Sequence, residues 1–349
     1  MTKEELRAKA GQMVFVGFRG TTADERAPIV RSIRRGSVGG LWLVDNDTPM
    51  GATWGNIHSP DQVSRLTRDL MSQAEIPLFL ALDAEGGEII RLKPKYGFPE
   101  FPSAEELGKR NDLGLTRQIS RSIAMLLKEL GFNFNFAPVV DVNKNPSNRA
   151  IGMKRRSFSA YAPLVAEHAA AFVEEHRSVG IRTMLKHYPG HGSASGDTHQ
   201  GFVDISLTWD DNELLPYRAL IRRGLCDAVM TAHVTHRLID PDRPATLSPV
   251  FLQGMLRTAL GFDGVVIVDD FNMKAISEHY SFEEAVRLAI TAGADIILQG
   301  NVVQYREDAA EYAHETIVQL VSTGAILEDR IEQSYRRIMR LKSEILPGA

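Results

Sequence analysis

The chain has one cysteine, Cys226, among 349 residues. That excludes an intrachain disulfide and any CxxC metal or redox site. It has no apolar run approaching the ~20 residues that cross a bilayer, so no membrane contact of that kind is expected. It has no excess of either charge: 40 Lys and Arg stand against 44 Asp and Glu, and a net charge of -4 offers no electrostatic footing on nucleic acid or an anionic membrane. The N-terminal stretch TKEELRAKAGQMVFVGF lacks the long apolar core and small-residue cleavage site of a signal peptide, so a reduced, cytoplasmic compartment is the expectation. No GxGxxG follows the first apolar run, and no break in composition marks a linker.

Short apolar runs bounded by Gly, Asp, Asn or Pro are what the chain does have. They fall at 12–18, 39–44, 77–83, 132–142, 183–187, 227–234, 264–270 and 294–300. Several are near-continuous in Val, Ile, Leu and Phe, as strands buried on both faces of a parallel sheet require. Helical spacing lies between them. Leu164, Val165, His168, Ala169, Phe172 and Val173 mark one face over 159–179, with Gly180 as the stop. Val63, Leu66 and Leu70 mark another from Ser59 or Pro60 to Ala74, and Ile331, Tyr335, Ile338 and Leu341 a third over 328–342. This alternation predicts right-handed crossovers and a parallel sheet, and eight units suit a closed (β/α)8 TIM barrel. A doubly wound open sheet is the rival.

Ionisable residues stand where the runs end: Asp83 after the third, Asp141 after the fourth, Lys186 and His187 at the fifth, His233 after the sixth, Asp269 and Asp270 after the seventh. An aspartate after a strand is often a helix N-cap. Five strand ends of this kind out of eight point instead to one shared site, because a barrel gathers those ends on a single face.

The densest such segment is KHYPGHGSASGDTHQGF, Lys186 to Phe202, with three histidines and four glycines. His187 and His191 have the spacing of a helical zinc pair, but Pro189 and Gly190 between them oppose a helix, and no HExxH or cysteine ligand accompanies them. No metal is expected. Asp197 and His199 lie two apart on a Gly- and Ser-rich loop. An Asp beside a His can hold its tautomer and raise its basicity. A solvated loop with unrelated polar residues is the other reading of that pair.

KHYPGHG, the later DTH, ALDAEGGEIIRL, FAPVVDVNKNP, RSF, TAHV and GVVIVDDFNMKAI together resemble glycoside hydrolase family 3, in particular its NagZ-type β-N-acetylglucosaminidase branch, and the similarity runs from about residue 10 to 340. The resemblance implies a (β/α)8 barrel, with residues 1–349 as a single domain and no second α/β domain. It implies Asp269 as nucleophile and His199, paired with Asp197, as acid/base. It implies Asp83, Arg91, Arg156, Lys186 and His187 as substrate-binding residues. It also implies no cofactor, a small carbohydrate as partner and a monomer or weak homodimer. The chain departs from the family pattern in places. Val268 stands where Ser or Thr is usual, the loop reads GHGSASGDTH rather than GHGDT followed by DSH, and extra basic residues precede RSF, so that Arg155 competes with Arg156 for one role. The segment 45–60 is longer and more aromatic than usual and is expected to add a wall to the site.

The reaction implied is retaining: Asp269 attacks the anomeric carbon, His199 protonates the leaving oxygen, and water resolves the glycosyl-enzyme. An imidazole with an ordinary pKa of ~6.5 can do this near neutrality without the burial a Glu would need. The expected activity is release of terminal β-linked N-acetylglucosamine from cell-wall muropeptides, as in peptidoglycan recycling, or from chitooligosaccharides. A phosphorylase on the same scaffold, a β-glucosidase or xylosidase, and a non-catalytic sugar-binding barrel are the alternatives.

Overall fold

The computed structural model describes residues 1–45, 55–302 and 304–345. Eight parallel strands form one sheet: β1 Val14–Gly17, β2 Gly40–Trp42, β3 Phe79–Leu82, β4 Phe134–Asn135, β5 Arg182–Tyr188, β6 Ala228–Thr231, β7 Val265–Ile267 and β8 Ile297–Gln299. Each pairs with its sequence neighbour, and β8 pairs with β1 through Val14 opposite Ile297. The last seam, β7 to β8, is closed by a parallel bridge between Ile267 and Ile296, with the Val268 N–H donating to Ile296 O at 3.1 Å. The sheet is therefore a barrel, as the eight apolar runs predict, and the open-sheet alternative is excluded.

Strand four is shorter than its apolar run. Pro138 has no N–H to donate, so ladder pairing lapses after Asn135. The chain nevertheless stays beside β5, with Met184 N–H donating to Ala137 O at 2.9 Å and Val140 N–H to Lys186 O at 2.9 Å. This irregular stretch carries Asp141 to the rim. Residues 203–204 and 234–235 pair above the rim, and a two-stranded ribbon, 84–86 with 89–90, follows β3. Neither was legible as a strand.

Inside the barrel, Phe15, Phe79, Phe134 and Phe136 pack ring against ring with centroids 5.3 to 6.5 Å apart. All four are sealed from solvent, and each contributes on the order of 2–3 kcal/mol by burial alone. Gly40 makes room for this cluster, because a Cβ there would stand 2.6 Å from the Phe15 ring. Lys342 closes the opposite end. Its Nζ donates to Gln12 Oε1 at 2.6 Å and Gly39 O at 2.9 Å, above the Phe79 ring.

The helices ring the barrel. α1 is Lys3–Gln12, α2 Pro28–Arg34, α3 Pro60–Met71, α4 Ala104–Arg110, α5 Leu113–Glu129, α6 Ala162–Ser178, α7 Leu215–Arg222, α8 Lys274–Ser277, α9 Phe282–Ala292, α10 Ala309–Ser322 and α11 Glu328–Ile345. The three helices read from spacing are present within a few residues. Ser59 caps α3 and Pro60 opens it, while Val63, Leu66 and Leu70 face the sheet. α6 buries Val165, His168, Ala169, Phe172 and Val173, and Gly180 at φ +88° ends it. Among the described residues no helix is long and apolar enough to cross a membrane.

Candidate active site

The C-terminal strand ends open into a cavity of about 450 Å³ lined by Asp83, Arg91, Arg156, Lys186, His187, His199 and Asp269, together with Trp42, Lys154, Asn272 and Met273. Every residue expected at the site is in this lining except Asp197, which stands behind His199. The barrel ends assemble what is scattered over most of the sequence.

β3 and β5 supply its floor. Lys186, almost sealed from solvent, lies 2.7 Å from Asp83 Oδ1 and 2.7 Å from Glu85 Oε1. Asp83 Oδ2 accepts from Arg91 Nη2 at 3.1 Å and Trp42 Nε1 at 3.2 Å. Burial alone would push the Asp83 carboxyl up. The Lys186 and Arg91 cations outweigh it and hold Asp83 below the usual carboxylate range. Glu85 accepts from Arg156 at 2.7 and 2.9 Å, and it too is held low by Arg156 and Lys186 against its burial. Arg155 points outward, φ +56°, to Glu105 and Glu106. Arg156 is thus the arginine of the cavity, and Arg155 belongs to the surface.

His187 is held from behind. Its Nδ1–H donates to Asp141 Oδ2 at 2.8 Å, leaving the Nε2 lone pair facing Arg156 Nη2 at 3.3 Å. Burial, and then the Arg156 and Lys186 charges, depress its pKa well below 6.5, so the ring is neutral. Asp141 is fully buried and also accepts from the backbone N–H of His191 at 2.7 Å. It orients other groups and has no free face toward the cavity. Asp45 of the 45–60 segment pairs with Arg91 and Lys93 at 3.4 and 2.7 Å. The wall expected from that segment falls largely on 46–54, outside the described residues.

Asp269 and Asp270 follow β7 and diverge. Asp270 also borders the cavity, but its Oδ1 is engaged, accepting from Asn272 N–H at 3.0 Å and Gly300 N–H at 2.8 Å, which ties β7 to β8. Burial pushes its pKa up to about 6. Asp269 faces the cavity, with Oδ1 accepting the Asp270 N–H at 2.8 Å. Its burial is outweighed by the charge of His199, whose own pKa is raised, and by the Asp270 N–H, and the carboxyl is held below its ordinary value. It is an ionised, cavity-facing carboxylate.

The loop after β5 brings His199 to the same cavity. His199 Nδ1 lies 2.7 Å from Asp197 Oδ1, and Asp197 also accepts the His199 N–H at 3.0 Å. This hydrogen bond raises the imidazole pKa above 6.5 against its partial burial, and the Asp269 charge adds to the rise. An imidazole of raised pKa and an ionised carboxylate thus line one cavity, the kind of pair that proton donation and nucleophilic attack call for. The loop leaves β5 through Gly190, φ +122°, where a Cβ would stand 2.6 Å from Glu213. Among the described residues no group of three His, Cys, Asp or Glu is placed to hold a metal ion.

Sequence reasoning did not place Trp42, Lys154 and Asn272 in the cavity lining, and gave Glu85 no part in binding Arg156. Two acids two apart after a strand were the available signal for Glu85. Lys154 lies in a basic run that does not announce which member turns inward.

Fold and site define a parallel (β/α)8-barrel protein whose ionisable groups converge on the C-terminal face. The chain belongs to glycoside hydrolase family 3: the model described as glycosyl hydrolase family 3 N terminal domain matches residues 5–341. It is 30% identical to beta-hexosaminidase A of Pseudoalteromonas piscicida, covering 83% of this chain and 52% of that protein. It is 32% identical to beta-hexosaminidase LpqI of Mycobacterium tuberculosis, covering 96% and 82%. The structure superposes on a family 3 beta-N-acetylglucosaminidase from Paenibacillus with TM-score 0.88 and 35% identity, covering 97% of this chain and 62% of that one. The chain thus spans about half the length of the Pseudoalteromonas relative and under two thirds of the Paenibacillus chain.

Proposed function

We propose that this protein is a retaining glycoside hydrolase that releases terminal β-linked N-acetylglucosamine. The observation that carries this reading is the joint lining of one cavity by an ionised Asp269 and a His199 of raised pKa. The relatives' names, beta-hexosaminidase and beta-N-acetylglucosaminidase, supply the sugar. Asp269 attacks the anomeric carbon and expels the leaving oxygen, which takes the proton of His199. His199 then removes a proton from water, which displaces Asp269 from the sugar. Asp197 keeps the imidazole oriented and stabilises its charged form. Lys186, Arg91, Arg156, Asp83 and neutral His187 bind the hydroxyls and acetamido group. The cytoplasmic compartment, the single domain over 1–349, the monomeric or weakly dimeric state and the muropeptide or chitooligosaccharide substrate belong to the same proposal.

A mechanism-based fluorosugar tests it. A 5-fluoro-N-acetylglucosaminyl fluoride should trap an ester whose peptide maps to Asp269. An ester on any other residue, or none with turnover intact, rejects the assignment. Phosphate in place of water is a second reading, and Lys154 favours it. This lysine lines the cavity close enough to act electrostatically on Asp197 and His199, and would welcome an anionic acceptor. Products formed with and without inorganic phosphate decide between them: free sugar in both cases marks a hydrolase.

A further inference from the structure

The loop that carries His199 is fixed at its two ends. Gly192 N–H donates to Glu213 Oε2 at 3.0 Å, Asn145 Nδ2 donates to Ala194 O at 2.9 Å, and Val203 pairs with Val234. Between these anchors Thr198 is buried, while the chain on either side of it is more open. Ser195 is exposed, and Gly201, φ +144°, has nothing within 4 Å of where a Cβ would stand. The His199 side chain is 61% exposed, and its hydrogen bonds go to Asp197 of the same loop. The Asp197–His199 pair is thus internal to the loop and would travel with it.

Two contacts join this loop to the segment that follows Asp269. Ala275 N–H donates to Thr198 O at 3.4 Å. The Phe202 ring stacks on the His279 ring, with centroids 3.8 Å apart and planes at 25°. Phe202 remains 44% exposed, so it is a surface aromatic with one ring partner and no place in the core.

We propose that the Phe202–His279 stack is a latch that holds the His199 loop closed against the Asp269 segment, with Phe202 and His279 acting as positioning residues. The proposal rests on the reading of His199 as acid/base. Its logic is geometric. His199 has an orienting partner in Asp197, but that partner cannot set the distance to Asp269, because it belongs to the same moving piece. The latch spans the two loops and, together with the Ala275–Thr198 hydrogen bond, sets it. Opening the latch separates the proton donor from the nucleophile while leaving the donor's own pair intact. The same opening widens the way into the cavity, as a loop that must admit a sugar and then exclude water requires. A stacked pair at a surface shifts such an equilibrium modestly, by about two- to twelvefold.

Phe202→Ala, His279→Ala and the double variant test this, with His199→Ala as reference, on an N-acetylglucosamine disaccharide and on a nitrophenyl glycoside. Each single variant is expected to lower kcat on the disaccharide by about two- to twelvefold and to affect the activated glycoside less, because a nitrophenolate departs without a proton. The double variant should be no worse than the singles, since one contact is broken either way. Phe202→Tyr and His279→Phe should restore activity by restoring the stack. Wild-type kinetics for Phe202→Ala, beside a leaving-group-dependent loss for His199→Ala, overturns the latch and leaves the acid/base reading standing. Equal loss on both substrates with a lowered Tm and no rescue by Phe202→Tyr reduces the stack to a structural contact and also overturns it. If His199→Ala itself shows no leaving-group dependence, the acid/base reading falls and takes the latch with it.

Discussion

The Nζ of Lys186 lies 2.7 Å from Oδ1 of Asp83, at the end of β5 and the end of β3, with both side chains nearly closed to solvent. Glu85 shares the same ammonium at 2.7 Å. Lys186 therefore binds the floor of the site together. Lys186→Met leaves two buried carboxylates beside each other, and removing one partner of a buried pair costs about 3–5 kcal/mol. Urea unfolding should show a loss of that order, and KM should rise. The carboxyls of Asp83 and Glu85 have lowered pKa values, so the stability they confer is present above the ordinary carboxylate pKa and is lost as pH falls through the lowered values. The acid-unfolding midpoint of Lys186→Met should accordingly lie at higher pH than that of the wild type. A stability change under ~1 kcal/mol would show that Lys186 serves substrate alone.

In the proposed mechanism the activity profile follows from Asp269 as nucleophile and His199 as acid/base. Asp269 must be ionised to attack, and its pKa is lowered, so the acid limb should lie below the ordinary carboxylate value. His199 must carry a proton to donate, and its pKa is raised, so the basic limb should lie above 6.5. The Asp197 hydrogen bond raises that pKa and Lys154 lowers it. Asp197→Asn should move the basic limb of kcat/KM down, and Lys154→Met should move it up. A limb that neither substitution moves belongs to another group.

Glu213 gives a stability signature separate from catalysis. It is fully buried under the stem of the His199 loop, accepts the Gly192 N–H, and burial pushes its pKa up to about 8. A carboxyl raised on folding contributes stability that is fully present below its unfolded pKa and is lost as pH rises through the folded one. The wild type should lose up to about 1.4 kcal/mol per pH unit from this group between about pH 5 and 8. Glu213→Gln keeps an acceptor for Gly192 and removes the titration. Its stability should fall less steeply over that window, as read by urea melts at several pH values. Parallel profiles would show that Glu213 is ionised in the fold.

Reading the barrel from sequence works because its strands are buried on both faces, so Val265–Ile267 and Ile297–Gln299 stand out as plain apolar runs. The site is legible where an ionisable residue ends such a run, as at Lys186 and Asp269. It is not legible where direction depends on a distant partner. Arg155 and Arg156 are neighbours of one type, and only Glu105 on the surface and Glu85 in the cavity separate their fates. The same holds for Phe202, whose partner His279 lies beyond two further barrel strands, β6 and β7, and for Asp45, whose role depends on Arg91 and Lys93 folding over it.

The proton donor can be isolated by the leaving group. A nitrophenolate is stable without a proton, whereas a sugar alkoxide is not, so removing the acid hurts the second far more than the first. His199→Ala should therefore lose several orders of magnitude on a disaccharide and much less in glycosylation by a nitrophenyl glycoside. Without the base, water attacks slowly, so the glycosyl-enzyme on Asp269 should accumulate and a pre-steady-state burst should appear. Azide needs no base. Added azide should speed the second step and yield a glycosyl azide of retained β configuration, because two inversions at the anomeric carbon restore the starting geometry. Asp269→Ala should show none of this, since no ester can form, and its fold should remain because Asp270, not Asp269, ties β7 to β8 through the Gly300 N–H. Equal losses on both substrates and no response to azide would place the donor elsewhere. Asp141 and Glu85 would make poor replacements: the first is sealed behind His187, and the second is held as an anion by Arg156 and Lys186.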